Sequence, residues 1–275
     1  MKWKILFRII TLLLIFLYII SFGQNYRINY QMTFKKDSLA EETQKKDMIL
    51  LINKKISKFY SKDQLINDSL MTASEKNGLK SQKKYDYNFM IIKDNQERKI
   101  YKFSSILRNF YKTTEEMPFY NWKVGKETNK IGNYICQKAT LNYSNRVWEA
   151  WFTTDIALQD GPSVFNGLPG LIVYMKDTTG SYEFQLTAIK KDESVDINYL
   201  SAKPLDVTKK QISKVCMDHY NDPYREMKSG NVKVIWQDEK GQPFTPDYKE
   251  LTKQEQDYIR RNNNPIELSE AIKYP

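Results

Sequence analysis

Asp160-Gly161-Pro162-Ser163-Val164-Phe165-Asn166-Gly167-Leu168-Pro169-Gly170-Leu171-Ile172 is the stretch that decides how this chain is built. Residues 161–170 hold three of the chain's ten glycines and two of its nine prolines, and an apolar run follows at once. Proline fixes φ and glycine alone enters positive φ freely, so this density encodes a particular backbone path. Pro169 disfavours the helical region for Leu168. Pro followed by Gly suits the centre of a type II turn, so Leu168-Pro169-Gly170-Leu171 is expected to form one. Asn166 and Gly167 also tolerate positive φ. Gly161, Pro162, Gly167, Leu168, Pro169, Gly170, Leu171 and Ile172 therefore read as a structural signature loop. It is either a buried plug at one end of a sheet or a contact surface for a partner or ligand. The stretch holds no His, Cys, Lys or Arg, so it marks a fold rather than a reaction.

Strands dominate on both sides of the loop. Residues 27–34 alternate, with Ile28, Tyr30, Met32 and Phe34 on one face. Residues 48–53 and 55–60 read as a hairpin, and 85–93 and 99–103 as a second pair around Asp94-Asn95. Residues 132–142 and 146–153 pair through Tyr143-Ser144-Asn145, and 171–176 and 182–190 through residues 177–180. No helix-length crossover separates these strands, so they build an antiparallel meander. Eight or more strands must curl or close. The expected fold is mainly β: a curved open antiparallel sheet or half-barrel with C-terminal helices, the alternative being a closed barrel. One helix is expected after an Asp206 cap, with Ile212, Val215, Cys216 and His219 on its inner face. A second is expected from Thr245-Pro246, with Tyr248, Leu251 and Tyr258 against the sheet. It ends at Asn262-Asn263-Asn264-Pro265, and residues 237–242 read as a loop or hairpin tip.

The N-terminus has the form of a secretory signal. Lys2, Lys4 and Arg8 precede an apolar run at 9–20, and Ser21-Phe22-Gly23 places small residues for cleavage before Gln24. The run is shorter than the ~20 residues a spanning helix needs. Residues 1–23 are thus expected to be a cleaved signal peptide, the alternative being an uncleaved membrane anchor, and 24–275 a single domain, since no linker or repeat divides them. The expected location is periplasmic or outer-membrane-associated.

The chain carries a net charge of +10, reduced by three when the leader leaves. Its lysines are scattered in pairs, Lys83-Lys84, Lys190-Lys191 and Lys209-Lys210, among acidic residues. This is a solvated surface rather than a nucleic-acid stripe. Export makes a Cys136–Cys216 disulfide chemically allowed; two separately buried thiols are the other reading.

No reaction centre emerges. His219 is the sole histidine, and its helical spacing with Ile212 and Val215 suits a packed side chain. Zinc sites need clustered Cys and His, and no calcium loop, P-loop or dinucleotide fingerprint is present. No catalytic, metal or cofactor site is assigned. Glu149 and Asp155 are the carboxylates nearest the loop that acid–base work could use, and both read as solvated surface. Trp148, Ala150 and Phe152 share one face of their strand, with Trp151 on the other. They are either ordinary core or the wall of an apolar ligand cavity.

At these residues the chain resembles the GLPGLI family of exported bacterial envelope proteins, named for the string at 167–172. The likeness includes Asn121-Trp122-Lys123, residues 131–139, Trp148-Glu149-Ala150-Trp151-Phe152-Thr153 and Gly161-Pro162. It extends to residues 52–60, Asp68-Ser69 and Asn264-Pro265-Ile266-Glu267-Leu268. Ala157-Leu158 departs from it, where the family often has a proline. The resemblance implies an envelope location and a fold similar to the open curved sheet of periplasmic lipoprotein carriers. It implies no established activity, cofactor or catalytic residue. The expected function is a non-enzymatic protein that binds an envelope partner. The alternative is a carrier of a lipid or other apolar ligand, with a hydrolase well behind.

Overall fold

The computed structural model describes residues 25–78, 88–107, 109–192, 197, 198, 200 and 202–275. The expected signal peptide and residues 85–87 lie outside them. Among the described residues, twelve strands form one sheet in the order β12-β6-β5-β4-β3-β2-β1-β11-β10-β9-β8-β7. The strands are β1 (Tyr26–Phe34), β2 (Gln44–Ile52), β3 (Ile56–Ser61), β4 (Ile91–Asp94), β5 (Lys99–Ile106) and β6 (Asn109–Glu116). They continue with β7 (Lys123–Ile131), β8 (Tyr134–Tyr143), β9 (Arg146–Thr153), β10 (Leu171–Asp177), β11 (Tyr182–Lys191) and β12 (Leu205–Asp206). All pairings are antiparallel except the short parallel contact of β12 with β6. The sheet is open, with β12 and β7 as its edges, so the closed barrel is not formed.

Chain connectivity forces the curvature. β6 and β7 lie ten strand positions apart, which in a flat sheet is about 48 Å at the usual inter-strand spacing. The connection between them is residues 117–122, and such a length reaches about 25 Å at most. The sheet must therefore curl until its two halves face each other. Irregularities in register at Asn29/Tyr30 and Ile172/Tyr174 help it to coil.

β1 runs through the middle, with Ile28, Tyr30, Met32 and Phe34 turned inward and 0–5% exposed. Around them the concave face packs Met48, Leu50 and Phe59 from one half and Trp148, Ala150 and Phe152 from the other. The outer face carries a second, smaller core of Ile49, Leu51, Tyr60 and Phe103. Helix α1 (Lys62–Lys76) lies against β2 and β3 and adds Leu65 to it. Its cap is Ser61, whose hydroxyl accepts the Gln64 N–H at 3.1 Å. This helix escapes the sequence reading, as do the edge strands. β7 is exposed at every position but the last and shows no alternation; it is held as the outer arm of a hairpin with β8. Ser144 and Asn145 both take positive φ between β8 and β9, which is the two-residue turn that matches strand twist.

The C-terminal part holds α2 (Lys209–Asn221), α3 (Arg225–Lys228), a small β13–β14 hairpin (Trp236–Gln237 and Pro243–Phe244) and α4 (Tyr248–Arg261). Two starts differ from expectation. Asp206 belongs to β12, and Thr208 caps α2 in a reciprocal box with Gln211. Asp247, not Thr245, caps α4 by accepting the N–H groups of Lys249 and Glu250. The inner face of α2 carries Ile212, Val215, Cys216 and His219, all part-buried as the spacing requires. α4 packs on α2 rather than on the sheet, and Tyr258 stays half exposed.

Candidate functional site

The signature loop folds into the concavity instead of leaving it. Val164, Phe165 and Leu168 are at most 1% exposed. Phe165 stands inside an aromatic cage, with ring centroids 4.7 Å from Trp148, 5.9 Å from Tyr120 and Tyr143 and 6.4 Å from Trp122. Trp148, Ala150 and Phe152 are consequently filled core, and no ligand wall is open there.

A lysine holds the loop. Lys93 on β4 shares the inward face with Ile91 and is 0% exposed. Its ammonium donates to the carboxylate of Asp160, to Gly161 O at 2.8 Å and to Phe165 O at 3.0 Å. Three donors thus meet three acceptors, the full capacity of an ammonium. Burial pushes the Lys93 ammonium down, and the Asp160 charge works against that. The Asp160 carboxylate also accepts the Gly161 N–H at 2.7 Å. The crossover at 117–122 closes the cage: the Tyr120 hydroxyl donates to Val164 O and the Trp122 indole to Asn166 O, both at 2.9 Å.

The turn at Pro169 is tighter than expected. The Gly170 N–H donates to Leu168 O at 2.8 Å, whereas the Leu171 N–H goes to Ile156 O at 3.3 Å. Positive φ falls on Gly167, at 86°, and not on Gly170. A three-residue turn therefore replaces the type II turn. Gly170 is needed for another reason: a Cβ there would lie 2.0 Å from the Thr153 carbonyl oxygen. The strand after the loop can enter the sheet only because nothing projects at that point.

A second buried ion pair binds the C-terminal segment. Arg146 donates to Asp177 at 2.9 Å, to Ile266 O at 3.1 Å, to Pro265 O at 2.9 Å and to the Asn264 side chain at 2.5 Å. Asp177 in turn accepts the Tyr182 N–H at 2.7 Å, and the Tyr182 hydroxyl donates to Asn264 O at 2.6 Å. Residues 264–267 are thereby strapped across the end of the sheet.

Beneath α2 lies a cleft of about 810 Å³ with a cluster of charged side chains in its wall. Lys102 on β5 meets Glu115 at 3.0 Å, Glu267 at 2.5 Å and Glu270 at 3.1 Å. Lys209, at the start of α2, meets Glu115 at 2.8 Å and Glu270 at 2.5 Å. Burial pushes Glu270 up, but the two lysines outweigh it and leave this carboxyl below its ordinary value. Burial lowers Lys209, and Glu115 and Glu270 overcome it to raise the amine to about 12. The three carboxylates can bring oxygens within 4.8 Å of one another, a spacing suited to a metal ion. Each already binds a lysine, so a cation would have to displace two ammonium groups. The cluster reads as a clasp joining β5, β6, α2 and the C-terminal strap.

The remaining candidates stand apart. Glu149 lies on the outer face of β9, 3.8 Å from Lys138, and Asp155 is exposed on the following turn. His219 faces cavities beside α2; burial pushes it down, opposed by Glu255. Cys136 on β8 and Cys216 on α2 are both free, so the disulfide is not formed. Burial pushes both thiols up, the opposite of activation.

A family model described as the N-terminal domain of N-glycanase peptide matches residues 32–214, more than half of the chain. The chain belongs to this family. The N-glycanase N-terminal domain match runs from β1 into α2 and takes in Lys93, the signature loop and Arg146. Two solved structures of PNGF-II are similar. That in space group P21 is 21% identical, with a TM-score of 0.51, over 70% of this chain and 33% of that one. That in space group C2 is 22% identical, with a TM-score of 0.48, over 68% and 31%. At this identity the P21 likeness shows a shared fold alone. The chain spans about a third of the PNGF-II chains it matches. No curated protein matches it.

Sequence reasoning passed over Lys93, Arg146 and Asp177. One signal was available for Lys93: it falls two residues after Ile91, at an inward position of a strand, where a lysine demands a buried partner. Nothing local marked Asp160 as that partner.

Proposed function

We propose that this chain is a non-catalytic binding module of the N-glycanase N-terminal type, exported to the envelope, where it engages a protein partner. What supports the reading is the use made of its buried ions. Lys93 and Asp160 hold the loop, Arg146 and Asp177 hold the strap, and Lys102 is shared by three glutamates. A general acid or base needs a lone pair or proton turned toward substrate, and these groups turn theirs toward each other. The carrier reading loses the wall expected for it, since Phe165 packs on Trp148 and fills the aromatic cage. The GLPGLI resemblance is kept as part of the proposal: its name string enters β10 at the point where Gly170 passes the Thr153 carbonyl.

Native mass spectrometry of protein purified from its host envelope tests this, together with a glycan-release assay on a denatured N-glycosylated protein. The expected result is one protein partner at fixed stoichiometry and no released glycan. A co-purifying lipid would favour the carrier, and glycan release lost on Glu267→Gln would establish an enzyme.

A further inference from the structure

Among the described residues, the outer face of the sheet is covered by a helix on one side only. α1 packs over β2 and β3, where Ile49, Leu51 and Tyr60 make the second core. On β8 to β11 the same face keeps contact with solvent, and its residues lie in two straight rows. Cross-strand register sets Lys138 opposite Trp151, Trp151 opposite Tyr174, and Tyr174 opposite Gln185. The neighbouring row sets Glu149 opposite Lys176 and Lys176 opposite Glu183. Directly opposite residues project to one side of a sheet, so two aromatic side chains occupy facing positions in the middle of a polar field. Neither ring is consumed by the fold: Trp151 and Tyr174 are part-exposed, unlike Trp148 and Phe152 on the inward side.

We propose that this open half of the outer face binds a neutral oligosaccharide, with Trp151 and Tyr174 as its stacking platform. Three observations select that ligand. The rings have fixed neighbours: the Lys138 ammonium lies 6.0 Å from the Trp151 ring centre, and Tyr174 is set between Trp151 and Gln185 by the register of its strand. A rigid aromatic surface suits the apolar C–H face of a pyranose ring, which gains by leaving water without losing its hydroxyl hydrogen bonds. The flanking Gln185, Glu149 and Glu183 offer planar acceptors, and Gln185 donors as well, for hydroxyls at the ring rim. The charges around the rings are mixed, Lys138 and Lys176 among Glu127, Glu149 and Glu183, so the rings sit in no cationic stripe that would draw nucleic acid, an anionic membrane or an acidic polymer. A protein partner of ordinary kind would want an apolar interface centre depleted of charge, and here the centre is ringed by it.

This inference rests on the chain being a binding module and gives that module a second ligand beside its protein partner. The test is affinity electrophoresis of the full chain in gels containing neutral polysaccharides (soluble starch, laminarin, galactomannan, xylan), with alginate as an acidic control. Retardation is expected in at least one neutral gel and not in alginate. Trp151→Ala and Tyr174→Ala should each weaken it about tenfold or more. Gln185→Ala, an exposed change that cannot disturb the core, should weaken it measurably, and Lys253→Ala on α4 should leave it unchanged. Free migration in every neutral gel, retardation by alginate alone, or retardation untouched by Trp151→Ala and Gln185→Ala would overturn the proposal. In any of those cases an envelope protein that still co-purifies would leave the module reading standing, so the two failures are distinct.

Discussion

Lys93 and Asp160 form an ion pair between β4 and the loop before β10 with side-chain exposures of 0% and 6%. Every proton of the ammonium is matched by an oxygen of the loop. Removing one member strands the other charge in the core. Lys93→Met is expected to cost about 3–5 kcal/mol, measured by urea unfolding. Adding Asp160→Asn should return only part of it, because the carbonyls of Gly161 and Phe165 stay without donors. A double variant as stable as the parent would contradict this account of the loop.

Gly170 and Gly167 differ in why they are glycine, and alanine should tell them apart. At Gly167 an added Cβ meets open space, so only the left-handed φ opposes it, at about 1–2 kcal/mol. At Gly170 it collides with backbone, which costs about 3 kcal/mol or more because a main chain cannot step aside. Thermal melts should rank Gly170→Ala well below Gly167→Ala. The reverse order would refute the close-approach argument.

Arg146→Leu removes every tie from its guanidinium to residues 264–266 and leaves Asp177 unpaired. A loss of about 3–5 kcal/mol is expected. Limited proteolysis should cut within 262–275 in the variant before the sheet is touched. An unchanged digestion pattern would show that the strap is held by something else.

The clasp beneath α2 has a predictable response to pH. Glu270 is depressed in the folded state from its ordinary 4.5, so its contribution is complete above that value and is lost as pH falls through the lower folded one. Glu270 is 34% exposed, which keeps the gain near or below about 1 kcal/mol. Lys209 is raised to about 12, so its share persists through neutral pH and is lost as pH climbs past the ordinary lysine value toward 12. The melting-temperature gap between the parent and Glu270→Gln should be constant from pH 6 to 8 and close in acid. A gap that widened in acid would reverse the sign.

Both thiols should be countable. Unfolded without reductant, the protein is expected to react with two equivalents of a thiol reagent, from Cys136 and Cys216. In the native state Cys136, which is buried, should react far more slowly than Cys216. A titre of zero would mean that the two are bonded.

The sheet's central strands were legible because each buries one face. Ile28 through Phe34 alternate, and so do Tyr182, Phe184 and Leu186. The edges were not: β7 packs nothing, so no periodicity marks it, and α1 covers too little apolar surface to write a helical stripe. The turn at Pro169 was misread because Pro-Gly chemistry is local, while the demand on Gly170 comes from Thr153 on the neighbouring strand. The same limit hid the site residues. A lone lysine or arginine in a strand carries no mark of the acid it will meet 67 residues later for Lys93, or 31 for Arg146.

β1 is hydrogen-bonded on one side to β2 and on the other to β11, which is made some 150 residues later. The middle of the molecule is therefore assembled from the first and last strands of the sheet meander. A ribosome-bound or partly threaded chain can form hairpins, but it has no finished centre to collapse around. This topology postpones commitment: until residue 191 is available, β1 to β6 and β7 to β10 are two separate meanders, and only β11 joins them into one sheet.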